Sequence, residues 1–225
     1  MTASEDLRFA VDGAGEVSAL FLRPDNARLL LVLAHGAGAG MSHPFMENLA
    51  GELASAGIAT LRYQFPYMEG RRRVPDAPAV LTATVVAAVR AAAKAAPELP
   101  LLAGGKSMGG RMTSQAEGQH PLEGVRGLVF FGFPLHPPKR PATKRADHLT
   151  KVTVPMLFLQ GTRDELAKLD LLRPICASLG ALATLSVFDG ADHSFHVLKR
   201  SGTNDSAVLQ KLVRRVASWA ERIAV

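Results

Sequence analysis

Only one cysteine, Cys176, stands among the 225 residues. No disulfide can close within the chain, and a reducing compartment fits. Aromatic side chains are scarce at 6%, so a core must be built from aliphatic residues and alanine-rich helices packed closely. The longest apolar run, Leu29–Ala34, is far too short to cross a bilayer. The first nine residues carry Glu5 and Asp6 and no apolar stretch, unlike a signal peptide. A cytoplasmic protein with no membrane partner is expected. The net charge of +6 is not accompanied by a basic-aromatic motif, so no nucleic-acid partner is expected. The basic balance reads either as solubility or as attraction for anionic ligands. Repeats and low-complexity linkers are absent too.

What is present is ample apolar material. Hydrophobic residues make up 48%, and 225 residues suit one domain, 1–225, with a single sizeable fold. Apolar runs of strand length alternate with helical stretches. That alternation predicts an α/β fold, a mostly parallel sheet of about seven to eight strands with helices on both faces. Residues 7–11 and 17–22 read as an opening antiparallel pair. Strands are predicted at 29–34, 58–65, 99–103, 125–133, 154–160 and 182–188. Helices are predicted from Pro44 to about Ala56, with Ser42 as N-cap, and at 76–96, 108–119, 166–179 and 204–223. Residues 134–151 read as irregular and proline-rich.

Gly105-Lys106-Ser107-Met108-Gly109 matches the G-x-S-x-G nucleophile elbow. A serine on a tight strand-to-helix turn projects its hydroxyl from the sheet. Side chains two residues before and after it would collide with neighbouring backbone, and glycines remove the collision. The pattern alone arises readily by chance. Its context, an apolar strand before and helix-forming sequence after, gives it weight. Gly105-Lys106-Ser107 also resembles the end of a phosphate-binding P-loop, but that motif needs glycine where Pro100 stands.

A serine hydroxyl needs a base, and the base needs a third group to hold its tautomer. Of seven histidines, only His193 and His196 follow the last predicted strand. His193 lies in the turn-rich loop directly after that strand and is the predicted base. His196 falls on the next helical turn. The acid should follow the preceding strand, where Gly161-Thr162-Arg163-Asp164-Glu165 offers Asp164 at the strand's end and Glu165 as its rival. Asp192 is adjacent to His193 and cannot easily reach round to its ring. The oxyanion of an acyl-transfer intermediate needs two N–H donors. Met108, after the nucleophile, supplies one. Ala37, in the loop His35-Gly36-Ala37-Gly38, supplies the other. His35 reads as a brace for that loop rather than a second base.

With these pieces in order, the chain resembles the α/β-hydrolase superfamily over nearly its whole length. The matching segments are His35-Gly36-Ala37-Gly38, Gly105-Lys106-Ser107-Met108-Gly109, Gly161-Thr162-Arg163-Asp164 and Asp192-His193-Ser194-Phe195. Within it, the chain is similar to the small lidless group related to dienelactone hydrolases. Phe65-Pro66-Tyr67 and Gly109-Gly110-Arg111 extend the likeness to bacterial hydrolases akin to the testis-expressed and NSL-complex-subunit proteins of animals. Dienelactone hydrolases proper carry a cysteine nucleophile, so their substrate does not carry over to a chain with Ser107.

The resemblance implies a serine hydrolase of carboxylic esters with a small-molecule acyl substrate, no metal and no cofactor, acting as a monomer or homodimer. Thioesterase, peptidase or C–C hydrolase activity would use the same machinery, and a non-catalytic interaction module would keep the same fold. The segment between the strands at 125–133 and 154–160 is too short for a large helical cap, so an open site is expected. Phe65, Tyr67 and Phe133 are candidates to line an acyl pocket or to fill the core at strand ends. Arg71, with Arg72, Arg73, Lys139, Arg140, Lys144 and Arg145, reads either as an anion-attracting rim or as a solvated basic edge.

Overall fold

The computed structural model describes residues 4–223; residues 1–3 and 224–225 of the expected domain lie outside the described residues. Eight strands form one sheet in the order β1-β2-β4-β3-β5-β6-β7-β8. They are β1 (Glu5–Val11), β2 (Gly15–Leu22), β3 (Leu29–Ala34), β4 (Ile58–Tyr63), β5 (Leu101–Lys106), β6 (Val125–Phe131), β7 (Met156–Gly161) and β8 (Ala183–Phe188). β1 and β2 are antiparallel, and β2 meets β4 antiparallel. Every pairing from β4 to β8 is parallel. This is the α/β-hydrolase fold.

Among the described residues six α-helices cover the sheet: α1 (Pro44–Ser55), α2 (Pro66–Glu69), α3 (Pro78–Ala95), α4 (Met108–Gln119), α5 (Leu169–Ser178) and α6 (Asp205–Ile223). The central strand shows why both faces need cover. Leu30, Val32 and Ala34 of β3 point into one core with Leu81 and Val85 of α3, Met112 of α4 and Leu172 of α5. Leu29, Leu31 and Leu33 point into the other with Met46 and Leu49 of α1 and Val216 and Trp219 of α6. Successive strand residues face opposite sides, so a strand buried on both reads as an unbroken apolar run. α3 is long and apolar enough, by length and composition, to cross a membrane. Here Leu81, Val85, Ala88, Val89 and Ala92 commit one face of it to the sheet.

Three local expectations are corrected. The N-cap of α1 is His43, whose Nδ1 accepts from the Phe45 N–H, rather than Ser42. β5 runs on through Gly104 and Gly105 instead of ending at Ala103. Those glycines are pressed between neighbouring strands: a Cβ on Gly104 would lie 1.9 Å from the Val129 carbonyl oxygen. The segment read as irregular closes with a 3-10 helix, Lys144–Lys151, packed on α4. No separate cap is built between β6 and β7.

Because the strands from β4 to β8 run parallel, the loops after β3, β5, β7 and β8 all open on one edge of the sheet. That edge gathers His35, Ser107, Asp164 and His193.

Candidate active site

Ser107 forms the turn between β5 and α4 with φ 51° and ψ −117°, a conformation that L residues rarely adopt. The crowding that demands glycine around it is explicit. A Cβ on Gly105 would lie 2.3 Å from the Ala34 carbonyl oxygen, and one on Gly109 would lie 2.5 Å from that same oxygen and 2.6 Å from the His35 carbonyl oxygen. The backbone at the end of β3 therefore fits against the elbow only where side chains are missing.

The Ser107 Oγ lies 2.8 Å from His193 Nε2, and His193 Nδ1 lies 2.7 Å from Asp164 Oδ2. An ionised carboxylate only accepts, so Nδ1 carries the ring proton and donates it. Nε2 is left with a lone pair to accept the serine O–H. Asp164 is buried and its charge is shared among donors. Oδ1 accepts the Leu166 N–H at 2.7 Å, and Oδ2 accepts a second bond from Gln160 Nε2. Gln160 is held in turn by the Phe133 N–H, which donates to its Oε1 at 3.1 Å. A Cβ on Gly161 would lie 2.2 Å from the Ala191 carbonyl oxygen, so the loop after β8 lies directly against the end of β7. That contact brings His193 within reach of Asp164.

The rivals are placed elsewhere. His196 pairs with Asp205 at 2.9 Å, which raises its pKa. Asp192 accepts the N–H groups of Ser194 and His196 and so fixes its own loop. Glu165 is exposed.

The loop after β3 packs on Ser107, with Gly36 close enough that its Cβ would touch the Ser107 Cβ at 3.7 Å. His35 is fully buried and neutral. Its Nδ1 donates to the Gly36 carbonyl at 2.7 Å, and its Nε2 accepts the Phe65 N–H at 3.2 Å. Burial lowers its pKa to about 4, with the Gly36 bond opposing. It braces the loop and does not reach Ser107. The Gly38 N–H donates to the Tyr67 hydroxyl at 3.0 Å. Among the described residues the N–H groups of Ala37 and Met108 donate to no protein acceptor. Both are available to a ligand oxygen beside Ser107.

The expected pocket lining is corrected. Phe65, Tyr67 and Phe133 have at most 1% of their surface exposed. Phe65 packs edge-on against His35 and Tyr63. Tyr67 holds Gly38, and Phe133 packs among Phe130 and Phe158. They sit behind the site rather than on its face. Arg71 is exposed just after α2, with φ 54°, and Arg72 pairs with Asp76 at 2.6 Å. Neither contacts Ser107, Asp164 or His193.

Two residues beyond the predicted set are built into the site. Gln160 carries one sequence signal, as the lone polar residue in an apolar strand directly before Gly161, but nothing in the sequence points to its partners. Lys106 sits inside the elbow motif itself, and its ammonium donates to the His193 carbonyl at 2.7 Å. Among the described residues no group of three or more His, Cys, Asp or Glu is gathered as metal ligands would be. Cys176 is buried away from the site, and burial pushes its thiol up to about 11.

Comparison with known proteins agrees with the fold. A dienelactone hydrolase from Anabaena variabilis is similar in fold, with a TM-score of 0.76 and 20% identity over 98% of each chain. An α/β serine hydrolase homologue from Coxiella burnetii gives a TM-score of 0.76 at 18% identity, covering 96% of this chain and 99% of that one. A lidless α/β serine hydrolase from Xanthomonas campestris gives 0.72 at 20% identity over 96% of each. The alpha/beta hydrolase domain family matches residues 27–221. With that match spanning most of its length, the chain belongs to the alpha/beta hydrolase domain family.

Proposed function

We propose that the protein is a serine hydrolase of carboxylic esters that works through an acyl-enzyme. The observation that carries this reading is the unbroken relay from Asp164 through His193 to Ser107, each link at hydrogen-bonding distance. In the first half-reaction the Ser107 oxygen attacks the ester carbonyl while His193 Nε2 takes its proton. The carbonyl oxygen becomes an oxyanion, stabilised by the N–H groups of Ala37 and Met108. Collapse breaks the bond to the alcohol, which leaves with the proton from His193. Water then repeats the sequence: its oxygen bonds to the acyl carbon while His193 takes its proton, the acyl–Ser107 bond breaks as His193 returns the proton to the Ser107 oxygen, and the carboxylic acid departs. Asp164 stays ionised throughout and stabilises the imidazolium that forms twice per cycle.

Support also comes from the serine hydrolases among the structural relatives and from the absence of a separate cap over Ser107 among the described residues. The substrate is a small acyl compound, and no bound cofactor is required by these steps. A fluorophosphonate probe tests the reading. Folded wild type should label stoichiometrically, and Ser107→Ala should not. Hydrolysis of p-nitrophenyl esters should follow the same pattern. Folded wild type that neither labels nor hydrolyses any ester or thioester overturns it.

A further inference from the structure

β1 is an outer strand of the sheet. It pairs with β2 on one side, and among the described residues no strand pairs with its other side. An open edge offers backbone N–H and C=O groups to another chain, and proteins blunt such edges with proline, bulges or very short strands. β1 has seven residues, none of them proline, and pairs with β2 in unbroken register. Beside this edge lies an apolar groove of about 720 Å³, between Leu7 and Phe9 of β1 and Ala83, Ala87 and Ala91 of α3. α3 contains no acidic residue. Its two charges, Arg90 and Lys94, are exposed where they line the groove.

The charges on β1 are arranged to suit a copy of the same strand. Leu7 and Phe9 face α3, so Asp6 and Arg8, which alternate with them, share the opposite face. Two copies of one strand pair antiparallel about a two-fold axis, which fixes the residue opposite each position. With the axis at Leu7, Asp6 of each copy lies opposite Arg8 of the other, twice per interface. Moving the axis to Asp6 or to Arg8 sets like charges against each other. Within β1, only the Leu7 register pairs opposite charges. Asp6 is exposed and makes no ion pair among the described residues. Arg8 is half-exposed and shared between Glu69 at 3.3 Å and Glu16 at 3.4 Å. β8, the other outer strand, carries no charge that would set a register.

We propose that β1 is the interface of a homodimer, pairing antiparallel with β1 of a second copy about an axis at Leu7. The two eight-stranded sheets become one. Leu7 meets Leu7 and Glu5 meets Phe9 on the α3 side, which brings the two apolar grooves together. Backbone hydrogen bonds and apolar burial hold the pair, and the exposed charges choose its register. β1 runs parallel to the strands from β4 to β8, so in the second copy those strands run the opposite way. The two sheet edges that carry Ser107 then point away from each other, and both stay uncovered. The interface does not depend on what Ser107 attacks.

Sedimentation equilibrium tests the proposal. Wild type should reach twice the chain mass at micromolar concentration. Asp6→Arg and Arg8→Asp should each raise the dissociation constant roughly tenfold or more, since each sets like charges opposite each other. An equimolar mixture of the two should form a heterodimer, because each variant supplies the charge that the other lacks. Circular dichroism and Tm check that each variant is folded. A second arm needs no change of charge. Leu7→Cys should cross-link to its own copy under mild oxidation. Residues that face each other across antiparallel strands have Cα atoms about 4.5–5.5 Å apart, within reach of a disulfide. Ala10→Cys, on the same strand but away from the axis, should not cross-link. Cys176, the lone native cysteine, is buried and gives little background. Wild type that is monomeric at every concentration tested overturns the proposal. So does a dimer that Leu7→Cys does not cross-link or that Asp6→Arg leaves intact, which places the contact on β8 or another face. Monomeric wild type that sediments with vesicles of anionic phospholipid overturns it in favour of a lipid surface on the groove.

Discussion

The ammonium of Lys106 donates to the backbone carbonyl of His193 at 2.7 Å, so the residue before Ser107 holds the loop that carries His193. The ammonium also lies 5.9 Å from the Phe195 ring centre, over the same loop. The elbow and the histidine loop are thus tied by a side chain as well as by the His193–Ser107 bond. Burial lowers the Lys106 pKa to about 8, with Asp164 and Asp192 partly opposing. As pH rises through about 8 the ammonium becomes an amine, its bond to the carbonyl loses charge assistance, and kcat should fall several-fold. Stability moves the other way. Between about 8 and the ordinary lysine value the unfolded chain holds the proton that the folded one has lost, so the contribution of this group to stability rises with pH. Lys106→Arg, which cannot deprotonate in this range, should flatten the alkaline fall. Lys106→Met should lower kcat about tenfold at pH 7 with KM little changed, the mark of a positioning residue. An alkaline profile identical in wild type and Lys106→Arg would falsify this assignment.

Much of this site was legible because each part follows from a local rule. Ser107 announces itself by the glycines at 105 and 109, and the atoms those glycines avoid belong to Ala34 and His35. His193 and Asp164 follow from their places after β8 and β7. The roles of Lys106 and Gln160 are not legible, because each depends on a partner distant in sequence: His193 for the first and Phe133 for the second. The same reason explains Phe65, Tyr67 and Phe133. Aromatic residues at strand ends suit a pocket or a core equally, and only the packing of β4, α2 and β7 places them behind the site. Propensity ends strand β5 at Ala103 because glycine is a poor strand former, and it carries no record of how closely β6 approaches Gly104.

Gln160 should matter through Asp164. Gln160→Leu removes a donor from the Asp164 carboxylate and leaves the buried Phe133 N–H without its acceptor. An orphaned buried donor costs about 1–3 kcal/mol of stability, which urea unfolding would read. Steady-state kinetics should show kcat reduced about tenfold while KM stays within a factor of about two. Gln160→Glu should be worse in kcat. It places a second carboxyl beside Asp164, and two adjacent carboxylates cannot both ionise freely.

His35 makes acid stability a test of the loop's architecture. Its imidazole is buried in the neutral form, with a folded pKa of about 4 against an ordinary value of 6.5. As pH falls from 6.5 towards 4 the unfolded chain takes up a proton that the folded one refuses, so stability drops across that window. The loss from His35 is on the order of 2–3 kcal/mol. His148 adds to it in the same direction. His196, raised by Asp205, opposes it but is exposed and therefore weak. Urea midpoints for wild type should fall between pH 7 and pH 4.5, and His35→Gln should flatten that fall while being less stable than wild type at pH 7. Parallel pH curves for the two proteins would show that His35 titrates in the folded state as freely as in the unfolded one.

Two glycines in similar helical settings should respond in opposite ways to alanine. Gly51 lies inside α1 with nothing within 4 Å of where its Cβ would be. Alanine there removes chain entropy from the unfolded state and should add about 0.5–1 kcal/mol of stability with activity unchanged. Gly109 lies in the first turn of α4, where a Cβ would lie 2.5 Å from one backbone oxygen and 2.6 Å from another. Both oxygens belong to β3 and its loop, which cannot yield without moving the Ala37 N–H. Gly109→Ala should therefore cost several kcal/mol, on the scale of overpacking a rigid core. In whatever fraction remains folded it should lower kcat, because helix and oxyanion loop are pushed apart. Thermal unfolding of the two variants, with fluorophosphonate labelling of the folded fraction, reads both effects. If Gly109→Ala were as stable and as reactive as Gly51→Ala, the close approach of the β3 loop to the elbow would not be what fixes the glycine of the motif.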